Sequence, residues 1–220
     1  MIKIKTDQLD LHLSHFRPVH ANDLEKMTAS LIKYGQLSPV IAVDDKNCMT
    51  LIDGFKRLRS AKLLGMKDLW VAPVMKSRSE AKALIYLLNR PNDFSMILEA
   101  MLVRDLIEVE GLNQVEAAVL LERHKSWISR RLAMICNLAP EVVDDIKLNI
   151  LPAGAGPSLA RLPRNNQADF TVAIQKHGLK SREIKRLVDI WCKAKDPGVR
   201  QCILNSPRQS LEIIKRDKET

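Results

Sequence analysis

Two short stretches of this sequence combine residue types and spacing that could do chemistry, and in both cases the chemistry would act on phosphate. In Gly54-Phe-Lys-Arg-Leu-Arg59 a glycine stands between a β-rich run and a helical one. A glycine there lets the backbone approach a ligand, and the helix N-terminus offers free N–H groups. Lys56, Arg57 and Arg59 add positive charge, an arrangement that suits a triphosphate. A basic first helical turn that is only solvated surface would carry the same signature. The second stretch is Gln114 to Met134, where a helix starting near Lys125 carries Lys125, Ser126, Trp127, Ser129, Arg130 and Arg131. Side-chain donors at the start of a helix can reach base edges, and cations beside them can reach the nucleic-acid backbone.

The elements that must position the second stretch read as a helix-turn-helix. Asn113 is placed to cap a first helix, with Glu116 three residues on, the spacing of a capping box. Ala117 and Ala118 are small where two helices cross closely, and Val115, Leu121, Ile128 and Leu132 are expected in the shared core. The turn falls at Glu122 to His124, with Glu122 where a glycine is usual. Arg123, Lys125, Arg130 and Arg131 against Glu122 leave a local balance of +3. Gln114, Arg123 and His124 join the recognition-helix residues as candidate DNA contacts. An ordinary helical hairpin with a solvated basic face is the competing structural reading, although cap, small residues, turn and cations agree in register.

Around the first stretch the pattern alternates strand and helix. Ile2 to Ile4, Pro39 to Val43, Met49 to Ile52 and Leu69 to Val74 are β-rich, and Asp44-Asp45-Lys46-Asn47 makes a hairpin of the middle pair. Asn22 to Tyr34 has Leu24, Met27, Leu31 and Ile32 at helical spacing and ends at Gly35, a C-cap glycine. A second helix runs from Phe55 to about Leu64. Beyond Ser79 the β signal disappears: Ala81 to Leu88 and Met96 to Glu110 are helical, and four or five shorter helices reach about Cys192. The expected class is α+β, a small mixed α/β domain over 1–90 followed by an all-helical domain over 91–192, divided near Pro91. A helical tail covers 193–220, with a short helix over Leu204 to Ile214.

Composition narrows the function classes. The chain has 220 residues, 46% hydrophobic and 28% charged, the profile of a globular protein. No apolar run approaches a membrane span and MIKIKTDQLD is not a signal peptide, so a cytosolic protein is expected. Cys48, Cys136, Cys192 and Cys202 are far apart and no histidine has ligand-like spacing, so no metal site is expected. The net charge of +9 divides as +5 over 1–95, −1 over 96–176 and +5 over 177–220. A basic chain fits a polyanionic partner.

The order of motifs resembles the ParB family of chromosome and plasmid partition proteins, over roughly residues 1 to 190. Phe16-Arg17-Pro18 and Gly35-Gln-Leu-Ser-Pro-Val40 look like the family's opening, and Leu51-Ile-Asp-Gly-Phe-Lys-Arg-Leu-Arg-Ser-Ala61 is similar to its GERRxRA box. Gly111-Leu-Asn-Gln114 matches the GLTQ lead into its helix-turn-helix. Asn149-Ile-Leu-Pro-Ala-Gly-Ala155 and His177-Gly-Leu-Lys-Ser-Arg-Glu183 resemble two later stretches. The resemblance implies an N-terminal domain that binds CTP and a central domain that binds a centromere-like DNA site. It also implies a homodimer, a partner ATPase, and nucleotide contacts at Gly35, Gly54, Lys56, Arg57, Arg59 and Arg90.

Departures from the family pattern carry their own consequences. Phe55 and Lys56 stand where the box has glutamate and arginine, and Ser38 where the family tends to have glutamine. The family's ENxxR box falls on Tyr86-Leu-Leu-Asn-Arg90, where Tyr86 and Leu87 replace the glutamate and asparagine. An apolar pair cannot coordinate Mg²⁺, so the expected enzyme activity is at most a weak CTPase. The leading expectation is a sequence-specific binder of double-stranded DNA at a palindromic site, because one recognition helix reads only a few base pairs. Two alternatives stand beside it: a nucleotide-dependent enzyme of sulfiredoxin-like fold, for which Cys48 is the nearest cysteine to the box, and a protein-binding adaptor.

Overall fold

The computed structural model of the chain describes residues 1–45, 48–90 and 94–219. The chain folds as two compact units, one of residues 1–94 with 105–123, the other of 95–104 with 124–220. Pro91, read as the domain boundary, and the hairpin turn at Lys46-Asn47 lie outside the described residues.

The first unit is built on a five-stranded sheet: β1 (Ile2–Lys5), β2 (Leu9–Asp10), β3 (Val40–Asp45), β4 (Cys48–Asp53) and β5 (Asp68–Val74), in the order β1-β5-β3-β4-β2. β3 and β4 form the expected antiparallel hairpin, β5 runs parallel to β3, and β2 parallel to β4. The two-residue strand β2 is too short to show in hydropathy. Alternation is clear in β5, where Leu69 and Val71 are buried and Trp70 is exposed. In β4 three consecutive residues, Thr50, Leu51 and Ile52, are buried, as in a strand covered on both faces.

Helices α1 (Ala21–Tyr34) and α2 (Phe55–Leu63) pack on each other. Their polar seam is the Thr28 hydroxyl, which donates to the fully buried Ser60 hydroxyl at 3.0 Å. α1 ends at Gly35 as expected, but Ile32 is 70% exposed, leaving Leu31 as the buried residue of that turn. α3 (Arg78–Asn89) starts three residues earlier than hydropathy suggests, because Ser77 and Glu80 form a capping box. The Ser77 backbone N–H, assisted by Lys76 and the Ser77 hydroxyl, draws the Glu80 carboxyl down to about 2. α4 (Met96–Glu108) continues from residues of the second unit into the first, and α5 (Gln114–Leu120) completes the first unit.

The second unit is helical: α6 (Lys125–Asn137), α7 (Pro140–Lys147), α8 (Gly156–Leu159), α9 (Arg164–His177), α10 (Ser181–Lys193), α11 (Pro197–Asn205) and α12 (Pro207–Glu219). Fully buried Gln167 binds the chain at the end of α6, accepting from the Ala139 N–H at 2.8 Å and donating to the Asn137 carbonyl at 2.9 Å. The tail forms two helices instead of one short helix, because Ser206 leaves the helical region between Asn205 and Pro207. The mixed α/β unit and the helical unit together bear out the expected class.

Candidate nucleic-acid interface

The start of α5 follows the sequence closely. The Asn113 side chain accepts from the Val115 and Glu116 N–H groups at 2.8 and 3.0 Å, and the Glu116 carboxylate accepts from the Asn113 N–H at 2.8 Å. Ala117, Ala118 and Leu121 are buried, and in α6 so are Ile128, Met134 and Ile135. Two expected core residues are not. Val115 is 52% exposed, because two residues before Ala117 is about 200° around the helix and points to the opposite side. Leu132 is only half-buried.

The turn is a Schellman motif: the Glu122 N–H donates to the Val119 carbonyl and the Arg123 N–H to the Ala118 carbonyl, at 3.1 and 2.9 Å. Its left-handed residue is Glu122, at φ 53°. A side chain in that conformation costs about 1 kcal/mol relative to glycine. His124 then caps α6, its Nδ1 accepting from the Ser126 N–H at 3.2 Å.

The cations of this stretch divide into two groups. Lys125, Ser126, Ser129 and Arg130 are exposed on the first turns of α6, with Arg130 3.5 Å from the Ser126 hydroxyl. Arg131 turns inward: its Nε donates to the Glu99 carboxylate at 2.7 Å in a pair only 16% and 12% exposed, and its guanidinium lies over the half-buried Trp127 ring at 4.9 Å. Arg123 is half-buried, its Nε donating to the Tyr86 hydroxyl at 2.6 Å. Gln114, the first residue of α5, is half-buried. What the geometry offers is a row of exposed donors, braced from behind by Arg131.

The Gly54 stretch is organised differently. Gly54 adopts φ 96° and ψ 21°, and a Cβ there would fall 2.5 Å from Val40 Cγ1. With glycine as N-cap, the first turn of α2 has no side-chain acceptor, so its N–H groups can face a ligand. The cations around it are held by the protein. Lys56 pairs with Asp23 at 2.6 Å, while Arg57 donates to the Pro39 carbonyl at 3.1 Å and the Ser38 hydroxyl at 2.9 Å. A hollow of about 170 Å³ is lined by Gly54, Lys56 and Arg57 together with Arg17 and Asp53. Burial disfavours the charged form of Arg17, and Asp53 and Asp23 partly offset this. Gly35, Arg59 and Arg90 are not among the lining residues. Gly35 caps α1, Arg59 is half-buried, and Arg90 is exposed with Glu122 3.8 Å away. Phe55 is a core residue, 4% exposed.

The hollow can take a phosphate group, but it is smaller than the ~300 Å³ at which small-molecule pockets begin. No group of three or more possible metal ligands occurs among the described residues, and Tyr86, at the box position where the family has glutamate, is fully buried. The residues present therefore fit phosphate, while the box itself, Tyr86-Leu-Leu-Asn-Arg90, offers no carboxylate for Mg²⁺. Cys48 lines a different cavity, of about 450 Å³, with Asp10, His12 and Thr50. It stands at the opposite end of β4 from Gly54, roughly 17 Å along the strand at about 3.3 Å per residue.

Fold and motif together define a two-unit chain with a mixed α/β sheet unit and a helix-turn-helix. Residues 92–193 match the family model of the ParB HTH domain, and the resemblance to the ParB family read from the sequence is thereby borne out. The chain is 25% identical to the probable chromosome-partitioning protein ParB of Campylobacter jejuni over 167 residues, 75% of this chain and 59% of that one. It thus spans about three-fifths of that relative's length. The pNOB8-like ParB N-domain shares the fold, with a TM-score of 0.53, 18% identity and coverage of 99% and 87%. So does the truncated ParB of Caulobacter crescentus complexed to the centromeric parS site, at 0.50, 18%, 86% and 99%.

Sequence reasoning missed Arg17, Asp23, Glu99 and the Tyr86 hydroxyl. Arg17 lies inside the Phe16-Arg17-Pro18 motif and was within reach. The others act through partners more than thirty residues away, and no local spacing signals them.

Proposed function

We propose that the chain is a ParB-like, sequence-specific binder of double-stranded DNA, acting in plasmid or chromosome partition or in related transcriptional regulation. The observation that carries this reading is the exposed set Lys125, Ser126, Ser129 and Arg130 on the first turns of α6, a helix capped by His124 and braced by the Arg131–Glu99 pair. Such a helix start supplies base-edge donors and phosphate cations together. In this reading His124 and Trp127 contact the sugar-phosphate backbone beside them, and Gln114 and Arg123 flank the site. Arg131 acts by positioning. A homodimer on a palindromic site, a partner ATPase and a cytoplasmic, nucleoid- or plasmid-associated location belong to the same proposal. So does the division into 1–90, 91–192 and 193–220 as the nucleotide, DNA-binding and tail regions.

The Gly54 hollow is proposed to bind CTP weakly, through its phosphates at the α2 N-terminus, without a resident Mg²⁺ and without appreciable hydrolysis. Measured CTP turnover above that of Arg57→Ala would overturn that part. Sulfiredoxin-type chemistry would need a thiol beside the phosphate site, and Cys48 is at the far end of the strand. Selection of duplexes from a random-sequence library, with and without CTP, tests the main reading: enrichment of one palindromic sequence supports it. Recovery of unenriched duplex, with equal affinity for every sequence, would remove the specific-binding reading.

A further inference from the structure

The two ends of the degenerate box, Tyr86 and Arg90, are four residues apart, so they share one face at the end of α3. Each meets one of two consecutive residues of the helix-turn-helix turn. Arg123 Nε donates to the Tyr86 hydroxyl at 2.6 Å, with the guanidinium 5.6 Å from the ring centre, and Arg90 stands 3.8 Å from the Glu122 carboxylate. We infer that Tyr86 and Arg90 form a clasp that fixes the turn of the helix-turn-helix without any nucleotide, in place of the nucleotide contacts this box makes in the family it resembles. The inference rests on the DNA-binding reading above and deepens it by naming what sets the turn.

The physical case begins with Tyr86. Its ring is fully buried and packs edge-on against Phe94 at 5.5 Å, so its position is fixed by the core of the first unit. A buried hydroxyl needs a partner, and a guanidinium donor gives a charge-assisted bond about twice as strong as a neutral one. The Asn89 side chain donates to the Ile85 carbonyl at 2.7 Å, which holds the last turn of α3 in shape. On the other side, Glu122 sits in the left-handed region, where the backbone alone would prefer glycine. The Schellman hydrogen bonds hold the turn to α5, and Tyr86 and Arg90 hold it to α3. The exposed Arg90–Glu122 pair is the weaker half, being screened by solvent. Tyr86 acts through Arg123 of the turn, so it is a positioning residue.

The test uses the full chain and a duplex selected from a random-sequence library by the unaltered protein. Tyr86→Phe keeps the ring and removes only the hydroxyl. It should weaken binding to the selected duplex about tenfold, leave binding to random duplex unchanged, and quicken amide hydrogen exchange at Glu122 and Arg123. Unchanged affinity together with unchanged exchange would overturn the clasp. Arg90→Gln, at an exposed position, keeps the proposal testable if Tyr86→Phe does not fold: exchange at Glu122 should quicken, and no change there counts against the clasp. Adding CTP with Mg²⁺ should leave exchange at Glu122 unaltered, whereas faster exchange would show that Arg90 serves a nucleotide instead. If Lys125→Ala also leaves duplex binding unchanged, the DNA-binding reading has failed, and exchange at the turn alone then decides the clasp.

Discussion

α2 and α6 both begin with a cluster of cations, and the protein uses the two clusters in opposite ways. At α2, Lys56 is spent on Asp23 and Arg57 on Ser38 and Pro39, around a hollow of about 170 Å³. At α6, Lys125 and Arg130 are exposed, while Arg131, seated over Trp127, is drawn into an ion pair with Glu99. The difference lies in the surroundings of each helix start. α2 begins against the residues that lead into β3 and against α1, which present the Pro39 carbonyl, the Ser38 hydroxyl and the Asp23 carboxylate at short range. α6 begins after a Schellman turn, and Lys125, Ser126, Ser129 and Arg130 on its first turns are exposed. A cation available to a polyanion is one the fold has left without a closer acceptor, so equal charge in sequence does not mean equal availability.

The largest effect is expected at Gly54. Gly54→Ala places a Cβ 2.5 Å from Val40 at φ 96°, and should destabilise the chain by about 2–3 kcal/mol from strain and overpacking; thermal unfolding with Val40→Ala added should recover part of this. Next comes the brace of α6. Glu99→Ala leaves Arg131 buried without its partner and should cost about 2 kcal/mol, less than a fully buried pair because both groups retain some solvent. Replacing both residues with apolar ones of similar size should restore most of the loss in a denaturant titration.

How much of this was legible in sequence follows the range of the interaction. The Asn113–Glu116 capping box, the Gly35 cap and the strand β5 are set within a few residues, and all are as expected. The Ser77–Glu80 box has the same signature and shows that hydropathy alone starts α3 too late. Val115 carried the right residue type on the wrong side of a short helix. The fate of each cation was not legible, because Asp23, Ser38 and Glu99 reach their partners from 33, 19 and 32 positions away. Nothing in the spacing of Arg130 and Arg131 distinguishes the exposed residue from the braced one.

Two smaller effects sharpen the contrast. Glu122→Gly removes both a left-handed side chain and a carboxylate beside the proposed DNA face. Because the exposed Arg90 pair that is lost is screened by solvent and the Tyr86–Arg123 bond remains, relief of the left-handed side chain should dominate and stabilise the chain by about 0.5–1 kcal/mol in chemical denaturation, and loss of the carboxylate should raise non-specific affinity for duplex DNA. The smallest concerns Glu80. Its carboxyl is held at about 2, below its ordinary value of 4.5. The capping contribution is therefore full above about pH 4.5 and is lost as pH falls toward 2. A Glu80→Gln chain should show a flatter stability profile over that window.

Whether α6 faces the DNA is decided by the salt dependence of duplex binding in three single variants. Each phosphate contact removed should lower the slope of log affinity against log salt by about one. Lys125→Ala and Arg130→Ala should each weaken binding to the selected duplex about tenfold and reduce the slope, while Arg57→Ala should leave both unchanged. Equal slopes and affinities in all three, with the chain folded, would contradict the assignment of α6 as the DNA-facing helix.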